Sequence, residues 1–509
     1  MRVHTDNVAG IWPAAATGPT VMKFGGSSVA NAARLGRVVE LIAAASEEKA
    51  GLVVVVSALG GVTDQLAACA AAAERGELAV ALDALAAVRA RHETVAAQLL
   101  PEPAGREYGA HIAAWLCEAE ARCQAVVRRR RLLPAHAAAV MGLGERLAAP
   151  LLAAAVSAAG RPSQAIAATE LIVLSRGGAP CRAPTAARCQ ERLNPLLQLG
   201  VVPVITGYIC ASPDGAPATL GRGGSDYSAT ILAAAMEASE IIIWTDVDGF
   251  HNADPRLVPS AQPYPDLSYQ EAALMARYGA KVLHPQCLEP ARAAAIPVWI
   301  RNTFAPQRAG TRITGQGVRR PPVGLAALSH LALLTFQDPA AGISPQLAQR
   351  AMRRLAALDG GTPIRFSPAT GTLRAAVGEQ LGAAAAAAWR QELDLAPDDA
   401  RLRLEHPVAV LSAVGGEPAE GEARIRQAGV ALRRAGIRLL AAGAAEDPGV
   451  TVFVLAQADL AAASAALHQT FTLPEAATWP ADGLSAWTRR PAPADVAATE
   501  GAKEGWRRA

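Results

Sequence analysis

Thr219–Arg256, TLGRGGSDYSATILAAAMEASEIIIWTDVDGFHNADPR, is the stretch whose reading decides the fold of the N-terminal half. It opens with a glycine-rich turn, Gly221-Arg222-Gly223-Gly224, followed by Ser225 and Asp226. Those two residue types can cap the exposed N–H groups of a first helical turn. The apolar density from Ile231 to Met236 predicts a buried helix, and Ile241 to Trp244 predicts a short strand. Thr245-Asp246-Val247-Asp248-Gly249 then turns out of the strand's carboxyl end. In an open parallel α/β sheet, ligands sit just beyond those carboxyl ends. Glycines that let backbone N–H groups approach an anion, an arginine and loop carboxylates together suggest phosphate and metal handling.

The same pattern recurs outward from this stretch. Thr20 to Phe24 predicts a strand that ends in the small-residue turn Gly25-Gly26-Ser27-Ser28. Its amides could hold phosphate oxygens, with Lys23 adding a point charge. A helix is predicted over Val29–Ala45. Leu52 to Val56 is apolar throughout, as strands of a buried parallel sheet are, and it leads into the loop from Ser57 to Thr63. Read from the residues alone, Ser57 and Thr63 are helix caps. Residues 64–135 predict long alanine-rich helices, broken near Pro101 and Pro103, that help cover the site. Val201–Gly207 and Ile296–Asn302 predict further strands. His284, followed by Pro285 and with no metal partner nearby in sequence, reads as structural.

Taken together, KFGGSSV (23–29), GRGGSDYSA (221–229), WTDVDGF (244–250), ADPR (253–256), GAKVLHP (279–285) and RNTF (301–304) resemble, in order and spacing, the aspartokinases of the amino-acid kinase family. The resemblance covers residues 20–315. It implies a three-layer α/β/α catalytic domain with a mainly parallel sheet, followed by two small ferredoxin-like α+β modules of the ACT type. It implies transfer of the ATP γ-phosphate to the side-chain carboxylate of L-aspartate, giving 4-phospho-L-aspartate. Lys23 and Asp226 would be catalytic. Ser57, Thr63, Glu145, Arg222 and Ser225 would bind the amino acid, with Glu145 on its ammonium and the planar fork of Arg222 on a carboxylate. Lys23, Gly25, Gly26, Ser27, Thr245, Asp246, Arg256 and Lys281 would hold ATP. Mg²⁺ would be carried on phosphate oxygens and water, with no protein ligand. A carboxylate acceptor is already ionised at neutral pH, so no general base is expected.

The chain also departs from the family pattern. Gly142 stands where the Ser-x-Gly-Glu motif has its serine, residues 163–184 lack the usual Asp-rich strand, and His251 replaces an aromatic residue found in some relatives. Two alternatives therefore stay open: a sibling kinase acting on another acid or a nucleotide, and a catalytically weak amino-acid-binding regulator.

At 509 residues the chain exceeds one core and predicts two or three domains. A hydrophobic content of 51%, a charged content of 18% and a net charge of +3 suit a globular protein and give no reason to expect nucleic acid. The run Arg128–Arg131 reads as a solvated helix end. Seven cysteines without a CxxC pair suggest a reducing, cytoplasmic compartment, and no secretion signal or membrane span is expected. A leader is expected over 1–19 and a disordered tail over 474–509. Between them the expected domains are 20–315, a degenerate ACT-like module at 324–395 and a better matching one at 404–473. Their strands are predicted at 331–336, 371–377, 408–413, 437–441 and 450–455, with helices at 345–358, 421–435 and 459–469. Such modules commonly pair and bind an end-product amino acid, so a homodimer or homotetramer with a possible effector is expected. The segment 338–343 shows no familiar effector loop.

Overall fold

The computed structural model describes residues 18–49, 51–316, 324–338, 340, 342–359, 364–366, 371–416 and 418–472. Nearly all of the expected leader and all of the expected tail lie outside them, as do two residues of the 338–343 segment.

The chain begins β1 (Thr20–Phe24), α1 (Ala32–Glu48), β2 (Leu52–Val56), then four helices in succession, α2 (Val62–Arg75), α3 (Leu78–Leu99), α4 (Glu102–Arg129) and α5 (Pro134–Met141). It continues α6 (Leu143–Ala158), β3 (Ser163–Ile166), α7 (Arg182–Arg192), α8 (Asn194–Gln198), β4 (Val202–Thr206), β5 (Ile209–Ala211), β6 (Pro217–Thr219), α9 (Gly224–Ala235) and β7 (Glu240–Thr245). β8 (Asp266–Ser268), α10 (Tyr269–Arg277), α11 (Glu289–Ala293), β9 (Val298–Asn302) and β10 (Thr311–Thr314) complete this half.

Eight strands form one sheet in the order β3-β4-β2-β1-β7-β9-β10-β8, parallel except for the β9–β10 pair. Its central strands are buried on both faces, so β2 is apolar at every position and β1 at all but Thr20 and Lys23. Alternate side chains enter different cores. Met22, Phe24, Val54 and Val56 pack with α1, α2, α3, α4 and α6. Val21, Val53, Val55 and Ile205 pack with α7, α9 and α11. The result is the three-layer sandwich expected. Pro134–Ala158 is apolar enough to span a membrane by length and composition, but 78% of that window is buried inside the protein, as a core helix would be.

Three local expectations are corrected. The first helix starts at Ala32 rather than Val29, because the Asn31 side chain accepts from the Arg34 N–H (3.0 Å) and caps it there. Ser225 and Asp226 do not cap α9. The cap position is Gly223, in the left-handed region at φ 68°, and Ser225 and Asp226 lie inside the first turn. The predicted strand at 437–441 is observed at Leu439–Ala444.

The second half holds β11 (Gly324–Gln337), α12 (Pro345–Asp359), β12 (Ile364–Arg365), β13 (Thr372–Gly378), α13 (Gly382–Glu392), β14 (Leu402–Val414), α14 (Gly421–Arg434), β15 (Leu439–Ala444), β16 (Val450–Ala456) and α15 (Leu460–Thr472). Two β-α-β-β-α units share one antiparallel sheet, β12-β13-β11-β14-β16-β15, joined through the long central pair β11–β14. The strand predicted at 331–336 is only the second half of β11. Its first half, from Gly324, pairs with the end of β14. One face of this sheet carries the helices, with Trp389 of α13 donating to the Ala351 carbonyl of α12 (3.1 Å). The other face, with Val408, Val410, Val452 and Val454, joins Tyr269, Ala272 and Met275 of α10, and Tyr278 just after it, in the same core as the first sheet. The Tyr278 hydroxyl donates to Asp447 across this junction (2.8 Å). Gly279 has φ 124°, and a Cβ there would collide with the Ala327 carbonyl of β11. The GAKVLHP turn is thus pressed directly against the second sheet.

Candidate active site

β1 is the pivot of the first sheet: the strands that leave it in one direction are β2 and β4, and in the other β7 and β9. Chain reversal of this kind opens a crevice beyond the carboxyl ends, and the loops there line a cavity of about 520 Å³. Lys23 projects into it from the end of β1. Ser57, Gly60, Gly61 and Thr63 come from the β2–α2 turn, Met141 and Glu145 from the α5–α6 junction, and Tyr208 from the end of β4. Arg222, Ser225 and Asp226 come from the glycine turn and the first turn of α9.

At its floor Lys23 and Asp226, 203 positions apart in sequence, form a buried ion pair (side chains 9% and 13% exposed). Asp226 sits in the first turn of α9, where the helix N-terminus favours negative charge. The two glycine turns meet backbone to backbone. A Cβ on Gly60 would lie 2.9 Å from the Gly26 carbonyl, and one on Gly26 would lie 3.1 Å from that of Ala58. This close approach leaves peptide groups rather than side chains beside Lys23. Gly223 is pinned from behind: a Cβ there would lie 2.6 Å from His284 Cβ, and the Cys287 thiol donates to the Gly223 carbonyl (3.3 Å). His284 therefore forms part of the wall behind the glycine turn.

Glu145 is almost wholly buried in the wall, and its Oε2 has no hydrogen-bond partner. Burial pushes its carboxyl up to about 8, against the pull of the Ala58 N–H, its own N–H and the Lys23 ammonium. A buried acid held in this way keeps its proton at neutral pH unless further positive charge is brought against it.

Lys23, Gly26, Ser57, Thr63, Glu145, Arg222, Ser225 and Asp226 are thus gathered around one cavity. The remaining expected residues lie outside its lining. Gly25 N–H donates to the Trp244 carbonyl of β7 (3.3 Å), and the Ser27 carbonyl accepts from Arg34 (2.6 Å). Thr245 and Asp246 follow at the end of β7, linked by a hydroxyl–carboxylate hydrogen bond of 3.2 Å. Arg256 is exposed and clamps Asp254 (2.7 Å), whose carboxyl its guanidinium holds below the usual range, with a smaller pull from Lys281. Asp246 in turn acts on Arg256. These charges form a second cluster beyond β7, the strand that pairs with β1. Tyr208, Met141, Gly60 and Gly61 line the cavity without having been singled out in the sequence. Among the described residues no group of three or more His, Cys, Asp or Glu side chains could hold a metal ion.

The profile of the amino acid kinase family matches residues 18–302, more than half of the chain. The chain belongs to the amino acid kinase family. Among curated relatives, the bifunctional aspartokinase/homoserine dehydrogenase 2 of Arabidopsis thaliana is 32% identical over 327 residues, covering 62% of this chain and 35% of the relative. Aspartokinase 1 of the same plant is 33% identical over 58% of this chain and 52% of its own length. An aspartokinase from Chlamydia pneumoniae is 31% identical over 57% of this chain and 62% of its own. The matched part therefore spans only about a third to three fifths of those relatives. The crystal structure of E. coli aspartokinase III in complex with aspartate and ADP superimposes with a TM-score of 0.74, at 24% identity, over 89% of this chain and 100% of that one. The shared fold thus reaches past the kinase sheet into the second one.

One departure now has a physical explanation. A Cβ at Gly142 would collide with Ile209 Cγ2 and lie 2.9 Å from the Ala138 carbonyl. No serine fits at this position while Ile209 occupies the space.

Proposed function

We propose that the protein is an aspartate kinase, which transfers the γ-phosphate of ATP to the side-chain carboxylate of L-aspartate. The observation that carries this reading is that the buried Glu145, whose Oε2 has no hydrogen-bond partner, and Arg222 line one cavity floored by the Lys23–Asp226 ion pair. Glu145 takes the substrate's ammonium and ionises as it docks, and Arg222 takes the α-carboxylate, leaving the side-chain carboxylate toward Lys23. Serine and threonine hydroxyls at Ser57, Thr63 and Ser225 fill the remaining polar positions.

ATP lies across the carboxyl ends of β1 and β7, its phosphates over Gly25, Gly26 and Ser27, with Thr245, Asp246, Arg256 and Lys281 on the nucleotide side. Lys23 is the mobile charge of the site: held by Asp226 in the resting enzyme, it neutralises the phosphoryl group in flight. A carboxylate oxygen attacks the γ-phosphorus as the bond to the β–γ bridging oxygen breaks, giving an acyl phosphate and ADP. Mg²⁺ would be carried on phosphate oxygens and water and would neutralise phosphate charge, since the Asp226 carboxylate is paired with Lys23. The second sheet would sense an amino acid, a reading supported by the crystal structure of E. coli aspartokinase III with lysine and aspartate.

The test is ADP release from ATP and Mg²⁺ with a panel of acids: L-aspartate, L-glutamate, N-acetyl-L-glutamate and carbamate. Turnover specific to L-aspartate, lowered by added lysine or threonine, is the expected result. Turnover with another member of the panel instead would reject the substrate assignment.

A further inference from the structure

Tyr208 is a bulky residue at φ 67°, in the left-handed region that few side chains adopt. Several contacts hold it there. Its N–H donates to Ser228 Oγ (3.1 Å), its carbonyl accepts from Leu220 N–H (2.8 Å), and Ile209 N–H donates to the Gly207 carbonyl (2.7 Å). Ser228 Oγ is itself anchored on the Gly224 carbonyl (2.9 Å). The ring lies on the start of α9, where a Cβ at Gly224 would come within 2.6 Å of Tyr208 Cδ2. From there the half-buried phenol lines the cavity, hydrogen-bonded to the Thr219 side chain, 3.9 Å from Met141 Sδ and close enough to Glu145 to feel its charge when ionised.

Tyr208 and Ile209 are neighbours in sequence and do complementary things. Ile209 fills the space beside Gly142 and so removes any side chain, and any hydroxyl, at that position. Tyr208, turned the other way by its left-handed backbone, brings a hydroxyl to the same wall. Such strain at a cavity is an observation from which a function can be inferred.

We propose that the Tyr208 phenol oxygen accepts a hydrogen bond from the ammonium group of the acceptor amino acid, beside Glu145, replacing the hydroxyl that position 142 cannot carry. Tyr208 is then a positioning and specificity-determining residue for α-amino acids over acids without an amino group. This rests on the kinase reading above.

The experiment compares wild type with Tyr208→Phe, measuring KM and kcat for L-aspartate, KM for ATP, and inhibition by succinate, which has both carboxylates and no ammonium. A lost hydrogen bond to a charged group predicts a KM for L-aspartate raised roughly tenfold or more. The loss should fall on KM rather than kcat, with KM for ATP and the succinate inhibition constant within about twofold of wild type. Restoring a hydroxyl at the old position, Tyr208→Phe with Gly142→Ser and Ile209→Ala, should recover at least a third of the lost affinity. An unchanged KM in Tyr208→Phe would overturn the proposal, as would aspartate and succinate weakening together, which is what a merely structural ring would do. The single variant decides even if the triple variant does not fold. A wild type inactive toward L-aspartate sinks the kinase reading, whereas an active wild type with an unaffected Tyr208→Phe sinks this inference alone.

Discussion

Replacing Glu145 by Gln should make the resting protein more stable while disabling it. In the folded protein the carboxyl is pushed up to about 8 from an ordinary 4.5, because burial opposes its charge. A raised acid costs stability wherever the unfolded chain would be ionised. Stability from this group is fully present below about 4.5 and is lost as pH rises, until the folded carboxyl ionises near 8. At pH 7 roughly two and a half units of this difference are in play, which at about 1.4 kcal/mol per unit is about 3 kcal/mol. Glutamine has nearly the same shape and cannot ionise. It carries its own burial cost, so the diagnostic quantity is the pH dependence and not the offset. Urea unfolding of both proteins from pH 4.5 to 8 should show the gap in unfolding free energy widening in favour of Glu145→Gln. The widening should reach roughly 3 kcal/mol by pH 7 and level off above pH 8. Saturating L-aspartate should shrink the slope in wild type, because its ammonium pairs with the carboxylate, and should do nothing in the variant. Parallel curves for the two proteins across this range would refute the claim that Glu145 is a buried acid that keeps its proton at neutral pH.

Lys23→Ala removes the cation of the buried ion pair at the cavity floor and should lower kcat by roughly 10³-fold, read by ADP release, with the protein still folded. Gly279→Ala forces a Cβ into the Ala327 carbonyl from a backbone at φ 124°, and should cost about 2–3 kcal/mol in a thermal or urea melt. His92 is buried in α3 with Nδ1 on the Val88 carbonyl (2.8 Å), and burial pushes it down to about 4. Its contribution is present above pH 6.5 and lost as pH falls through 4, about 3 kcal/mol in all, so His92→Leu should flatten the acid limb of the stability profile.

Strands such as Leu52–Val56 were legible because burial on both faces leaves no polar position to obscure the pattern. The glycine turns were legible as turns, and the motif resemblance named the cavity residues. What sequence pattern alone could not supply was their meeting. Lys23 reaches Asp226 because β1 pairs in parallel with β7 and α9 packs beneath, a long-range arrangement invisible in local periodicity. Tyr208 escaped notice because nothing in Gly207-Tyr208-Ile209 signals a left-handed tyrosine. The true cap, Gly223, was masked by the better capping chemistry of Ser225 and Asp226, which the site uses otherwise. α13, with six alanines among its eleven residues, has too little amphipathic contrast to stand out, and the joining of β11 to β14 depends on pairing between two separate units.

The central claim is most directly tested by trapping the product. Purified protein incubated with ATP, Mg²⁺, L-aspartate and hydroxylamine should accumulate aspartyl hydroxamate in step with ADP, and Lys23→Ala should accumulate it roughly a thousandfold more slowly. ADP release without hydroxamate, or hydroxamate at wild-type levels in Lys23→Ala, would contradict an aspartate kinase centred on Lys23.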